Sequence, residues 1–164
     1  MAQAPINNPI LALSKEHRFI LEQMAGVEAV LKQPDAEAMA AHLRSIESAF
    51  MPFVEKHFRF EEEVLFPAAL EAMPVGPTIR VILQLTREHG EFLRWARDLF
   101  AWARSSRRFE GLEGAVRRQD IKAGIDLIRQ HSHLEVTDLF PRISGNPRCC
   151  QMIEAVLARG VTGF

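Results

Sequence analysis

The feature that most constrains this chain is a segment that occurs twice, His57-Phe-Arg-Phe-Glu61-Glu-Glu-Val-Leu65-Phe66-Pro67 and His131-Ser-His-Leu-Glu135-Val-Thr-Asp-Leu139-Phe140-Pro141. Both copies read H-x-x-x-E-x-x-x-L-F-P at identical spacing. A second echo lies upstream of each, where Glu16-His17 precedes Phe19-Ile20-Leu21 and Glu88-His89 precedes Phe92-Leu93. Such recurrence predicts a helical hairpin present twice, with one histidine on its first helix and a His/Glu pair on its second.

Residues four apart on an α-helix share a face, with Cβ atoms roughly 5–6 Å apart. His57 and Glu61 can therefore grip one ion or form one ion pair, and so can His131 and Glu135. Imidazole suits zinc, copper, iron and nickel, and carboxylate can chelate or bridge, so two such helices facing each other form a two-metal box. Di-iron bundles use a related order, Glu-x-x-His, to present inward ligands from one helical face.

His17 and His89 join this set through the apolar pattern. Ile10, Leu13, His17, Ile20, Leu21 and Met24 recur at three and four, as do Ile82, Leu85, His89, Phe92, Leu93 and Ala96. A histidine on a core-facing stripe needs a partner, because burying an unpaired polar group costs about 1–3 kcal/mol. The spacing predicts helices over about 9–33, 35–73, 77–105 and 116–140. At about 1.5 Å per residue, His89 and His131 are nearly level, and a kink at Pro52 could absorb a mismatch of about 6 Å between His17 and His57.

Breaks fall at Pro34-Asp35, at Pro74, Gly76 and Pro77, and at Gly111 with Gly114. Asp35 and Asp120 are candidate early-turn or capping residues, Pro77 suits a first helical position, and Pro67 and Pro141 are expected to kink or end their helices. The expectation is an all-α chain, a single domain over 1–164. Its core is an up-down-up-down four-helix bundle over about 9–141, with an N-terminal arm and a short extra helix over about 146–158.

With 164 residues, 48% of them hydrophobic, the chain can bury one sizeable core. A net charge of -1 gives no field to attract nucleic acid or anionic lipid, and no apolar run reaches membrane-spanning length. A cytoplasmic location is expected. Arg107-Arg108 and Arg117-Arg118 read as a solvated connector, and the adjacent Cys149 and Cys150 as packing residues. His133 points away from His131, and His42 lies about 22 Å from His57 along one helix, so neither reads as a ligand. Glu16 and Glu88 could orient a histidine ring. Trp95, Trp102, Phe92 and Phe100 read as core aromatics.

From about Leu11 to Pro141 these motifs together resemble the hemerythrin-like proteins, or HHE cation-binding domain. The resemblance implies a non-haem di-iron centre within a four-helix bundle, the two irons bridged by carboxylates and an oxo or hydroxo group. His17 and His57 would serve one iron, His89 and His131 the other, and Glu61 and Glu135 would bridge. Zinc is the competing metal by affinity order. The oxygen-carrying members place a further histidine where Leu93 stands and use H-x-x-x-x-D where this chain has His131-x-x-x-Glu135. One ligand fewer leaves a position open to dioxygen, nitric oxide or peroxide unless His133, Glu62 or Glu91 fills it. The implied role is binding or sensing such a ligand, or handling iron. The alternative is an enzyme of iron-sulfur cluster repair or peroxide reduction. Met152, Ile153, Val156 and Leu157 could cover the bundle or pair two copies as a homo-oligomer.

Overall fold

The computed structural model describes residues 9–32, 36–105 and 111–159; the expected N-terminal arm and the Asp35 cap lie outside them. Among the described residues every element is helical and no strand occurs. Helix α1 spans Pro9–Leu31 and buries Leu13, His17, Ile20, Met24 and Val27, the stripe anticipated from spacing. Helix α2 spans Ala36–Phe60 and runs through Pro52. A π-helical turn over Glu61–Leu65 joins it to α3, Phe66–Ala72. Helix α4 spans Gly76–Arg104 with Pro77 in its first turn, where a missing N–H removes no helical bond.

The second half repeats this plan. Helix α5 spans Gly111–Leu134, a second π-helical turn covers Glu135–Leu139, and α6 covers Phe140–Ser144. Helix α7, Pro147–Ala158, is capped by the Asn146 side chain, which accepts a hydrogen bond from the Cys149 amide at 3.0 Å. Among the long helices, α1 packs against α2 and α5, and α4 packs against α2 and α5. Helix α7 packs on α3 and α6, where Cys149 and Ile153 are buried, so the apolar C-terminal segment covers the helical body. Among the described residues no helix is long and apolar enough to cross a membrane.

Four expectations need correction. Pro67 and Pro141 do not end their helices. Each follows a π turn in which the preceding amide, of Phe66 or Phe140, reaches back five residues to the carbonyl of Glu61 or Glu135. The widened turn accommodates a ring that would otherwise clash with the carbonyl four residues back. Gly114 lies inside α5, which begins at Gly111 and so earlier than 116. Asp120 is interior to α5 and caps nothing; its carboxylate accepts from Arg117, and its carbonyl from the Trp95 indole. Arg117 and Arg118 are therefore helical. Arg117 pairs with Asp98 at 2.6 Å and lies over the Trp102 ring, while Arg118 donates to the Leu31 carbonyl, tying α5 to α4 and α1.

Two apolar clusters fill the interior. One contains Ile20, Met24, Phe50, Val54, Phe58, Phe92, Phe100, Ile125 and Ile128. The other contains Leu13, Leu65, Phe66, Leu85, Leu139, Phe140 and Ile153. Along each long helix and the turn that continues it the histidine falls near the passage between clusters: His17 between Leu13 and Ile20, His57 beside Phe58 and before Leu65, His89 between Leu85 and Phe92, His131 between Ile128 and Leu139. A polar layer thus separates the two.

Candidate metal centre

The six residues singled out by spacing meet in this layer. His17 is 3% exposed, His57, His89 and His131 are each 1% exposed, and Glu61 and Glu135 are fully enclosed. Helical spacing of four sets each His/Glu pair on one face, and the ring of long helices turns those faces inward. Donor atoms of His17, His57, Glu61 and Glu135 lie within 4.8 Å of one another, as do those of Glu61, His89, His131 and Glu135. The two groups share both carboxylates.

The inner nitrogens converge. His57 Nε2 is 3.2 Å from Glu61 Oε1, and His89 Nε2 is 3.2 Å from Glu61 Oε2, so the two oxygens of Glu61 face opposite sides of the layer. Glu135 Oε2 lies 3.0 Å from His17 Nε2 and 3.3 Å from His131 Nε2. His89 Nε2 and His131 Nε2 approach to 3.2 Å.

These contacts are short but poorly aligned. His17 Nε2, His57 Nε2 and all carboxylate oxygens of Glu61 and Glu135 lack a hydrogen-bond partner although buried. Each such group costs about 1–3 kcal/mol, more when charged. The atoms aim at common points rather than at one another, and a cation at such a point would satisfy several at once. Donors opposed across an ion held at about 2.1 Å are roughly 4.2 Å apart, and the donor atoms of each group all lie within 4.8 Å of one another. The residues fit a metal.

The outer nitrogens are arranged for the same end. His57 Nδ1 pairs with Glu16 Oε2 at 2.7 Å, His89 Nδ1 with Glu62 Oε1 at 2.8 Å, and His131 Nδ1 with Glu88 Oε2 at 3.1 Å. A carboxylate on Nδ1–H fixes the tautomer that turns the Nε2 lone pair inward and raises its basicity. Glu16 and Glu88 do orient histidine rings, each on a neighbouring helix. Glu62 does so as well, and the sequence alone did not separate it from the exposed Glu63.

Aromatic rings complete the shell. Phe66 stacks on His89 with centroids 5.6 Å apart, and Phe140 stacks on His17 at 5.4 Å. The repeated Leu-Phe-Pro is therefore more than a helix breaker: its phenylalanine holds the histidine on the first helix of the other hairpin. Only its recurrence as a block hinted at this. Leu93 packs against the apolar cluster, His133 is exposed, and Glu91 pairs with Arg87. Among the described residues none of these, nor Glu62, joins either donor group.

Electrostatics without metal follow from burial and pairing. Burial pushes the His17 imidazole down, but Glu135 and Glu61 outweigh it and hold it at about 9. For His131, burial is likewise overcome by Glu135, Glu88 and Glu61, giving about 10. Burial would raise the Glu61 carboxyl; His57, His17 and His89 instead hold it well below the usual carboxylate range. A buried carboxylate kept ionised at the focus of four imidazoles is a cation-seeking group.

Fold and layer together define a class: a helical protein with a buried His/Glu cluster suited to metal. The chain belongs to the hemerythrin HHE cation binding domain family, whose model matches residues 8–143. No curated protein and no solved structure matches it. Membership marks it as a metal-binding protein, with the two His/Glu groups as its candidate sites.

Proposed function

We propose that the layer holds two iron ions and that the protein binds or senses a small ligand such as dioxygen, nitric oxide or peroxide. In this reading His17 and His57 would serve one ion, His89 and His131 the other, and Glu61 and Glu135 would be shared between them, within an up-down-up-down bundle. The observation that carries it is the convergence of inward Nε2 atoms and unpartnered carboxylate oxygens, with three of the outward Nδ1 atoms anchored by carboxylates.

Paired iron supplies coordination positions beyond those the protein fills, at which a diatomic or peroxide can bind. The chain supplies the rest. Four imidazoles and two carboxylates offer fewer donors than two six-coordinate ions need, and Leu93 adds none. Phe58, Phe66 and Phe140, all buried, keep bulk water from the layer and lower its local dielectric. Glu16, Glu62 and Glu88 hold the Nδ1 protons, so those three rings cannot turn away.

The test is metal content with an optical spectrum on protein purified without added metal and exposed to air. About two irons per chain, with near-ultraviolet oxo-bridge bands lost in His57→Ala/His131→Ala, are expected. One zinc, or no metal with an unchanged fold, would overturn the reading. Reversible saturable binding of nitric oxide or dioxygen is expected of the iron-loaded protein; steady turnover of peroxide would instead assign an enzyme.

A further inference from the structure

The two halves superpose by motif but not by environment, and the differences gather around one histidine. Aligning His57 with His131 places Phe58 opposite Ser132 and Glu62 opposite Val136. Both π turns begin at the aligned glutamate, so Glu62 and Val136 occupy the same place in equivalent turns. In the first half those residues serve His89: Phe58 stacks on its ring with centroids 3.8 Å apart, and Glu62 takes its Nδ1 at 2.8 Å. In the second half the corresponding side chains would serve His17, and neither can.

The consequence is visible at His17. Its Nδ1 is buried without a hydrogen-bond partner, alone in this among the four histidines of the layer, and the Ser132 hydroxyl is also buried and unpartnered. A surface depression of about 690 Å³ lies there, lined by Ser14, His17, Arg18, Leu21, Ser132 and Val136 among others. Replacing an aromatic ring by a hydroxymethyl and a carboxylate by an isopropyl removes one wall and one anchor from the same imidazole.

We infer that Glu62 and Val136 are positioning residues that make the two metal positions unequal. The position served by His17 and His57 is the weaker and exchangeable one, and that served by His89 and His131 is the tighter. This rests on the two-metal reading above. Carboxylate partners on a ligating imidazole are worth 10–100-fold in metal affinity when removed, and His17 lacks one by construction.

The test is calorimetric titration of the metal-free full chain with cobalt(II), wild type beside Val136→Glu and Glu62→Val. Two adjacent dications repel, so two separable steps are expected in wild type whatever their partners; the variants carry the information. Val136→Glu should tighten the weaker step roughly 10–100-fold and leave the stronger nearly unchanged, while Glu62→Val weakens the stronger step by a similar factor. Val136 is 48% exposed and the Glu62 side chain 43% exposed, so both variants should fold, with helicity by circular dichroism as the check. Val136→Gln, which supplies an acceptor without charge, should recover part of the gain. Thr137→Glu adds the same charge one residue along and controls for the general field. A Val136→Glu gain no larger than that of Thr137→Glu, or shared equally by both steps, overturns the inference and leaves the two-metal reading standing. Failure of wild type to take up two ions overturns both.

Discussion

The apolar cluster around Phe50 and the polar layer next to it are built by the same helices, yet they answer opposite demands. Phe50 packs edge-on or tilted against Phe92 and Phe100, with centroids 6.4 and 6.1 Å away, and every atom there gains by leaving water. One to two helical turns further along, His17, His57, His89, His131, Glu61 and Glu135 are as deeply buried, and several of their atoms lack a hydrogen-bond partner. The difference teaches which part holds the fold and which part is held by it. The apolar region stabilises; the layer is a cost that metal binding can offset, since binding free energy adds to folding free energy.

The largest expected effect falls on the apolar side of that comparison. Phe50→Ala should destabilise the protein by about 3–5 kcal/mol, measured as a shift in urea midpoint, while the metal bound per folded chain stays the same. A change in metal stoichiometry would show that the two regions are not separable.

Chelation addresses the other side. Metal at about 100 times its dissociation constant adds roughly 2.7 kcal/mol per site, so treatment with a strong chelator should lower the thermal midpoint. Substituting the His57/Glu61 and His131/Glu135 pairs by leucine together should then abolish metal uptake yet leave a protein as stable as the chelated wild type or about 1–4 kcal/mol more stable. A less stable variant would mean that the ion pairs hold the fold by themselves.

Gly124 sharpens the contrast from the packing side. A Cβ there would sit 2.0 Å from the Trp95 ring, so Gly124→Ala should force α4 and α5 apart at a cost of about 1–3 kcal/mol. Metal affinity, measured by titration, should change little, because neither residue touches the layer.

A separate effect is a pH dependence confined to the metal-free protein. The folded values of His17, about 9, and His131, about 10, exceed the ordinary 6.5. Their contribution is fully present below about 6.5 and is lost as pH rises through 9 to 10. Glu61, depressed, contributes above about 4.5 and loses its contribution as pH falls through its lowered value. The urea midpoint of the metal-free chain should therefore fall from pH 6.5 to pH 10, whereas metal affinity should rise over that interval as protons leave the imidazoles. Parallel trends would contradict the assignment of these histidines to the centre.

Much of this was legible in the residues because it depends on local periodicity. The four-residue step between His57 and Glu61, and between His131 and Glu135, puts donors on one helical face whatever surrounds it. The apolar stripes through His17 and His89 turn those residues inward for the same reason. What failed was local in appearance but not in cause. Pro67 and Pro141 read as kinks or stops; the helices continue through a π turn before each, and Phe66 and Phe140 stack on His89 and His17 across the layer. Gly111 and Gly114 read as a loop, yet α5 begins at Gly111 and includes Gly114, whose propensity cost of about 1 kcal/mol is small beside what a whole helix gains by packing.

Spacing along one chain therefore made legible the helical character, the repeat, the inward faces that carry the six His and Glu residues, and the family. Tertiary structure alone decided the rest. It assigned Glu16 to His57, Glu62 to His89 and Glu88 to His131, although these partners are 41, 27 and 43 residues apart. It placed both carboxylates within reach of all four imidazoles and left His17 without an outer partner. Periodicity fixes which face of a helix looks inward, but which atoms meet there depends on how neighbouring helices are rotated and stepped against each other, and that is set by packing summed over the whole core.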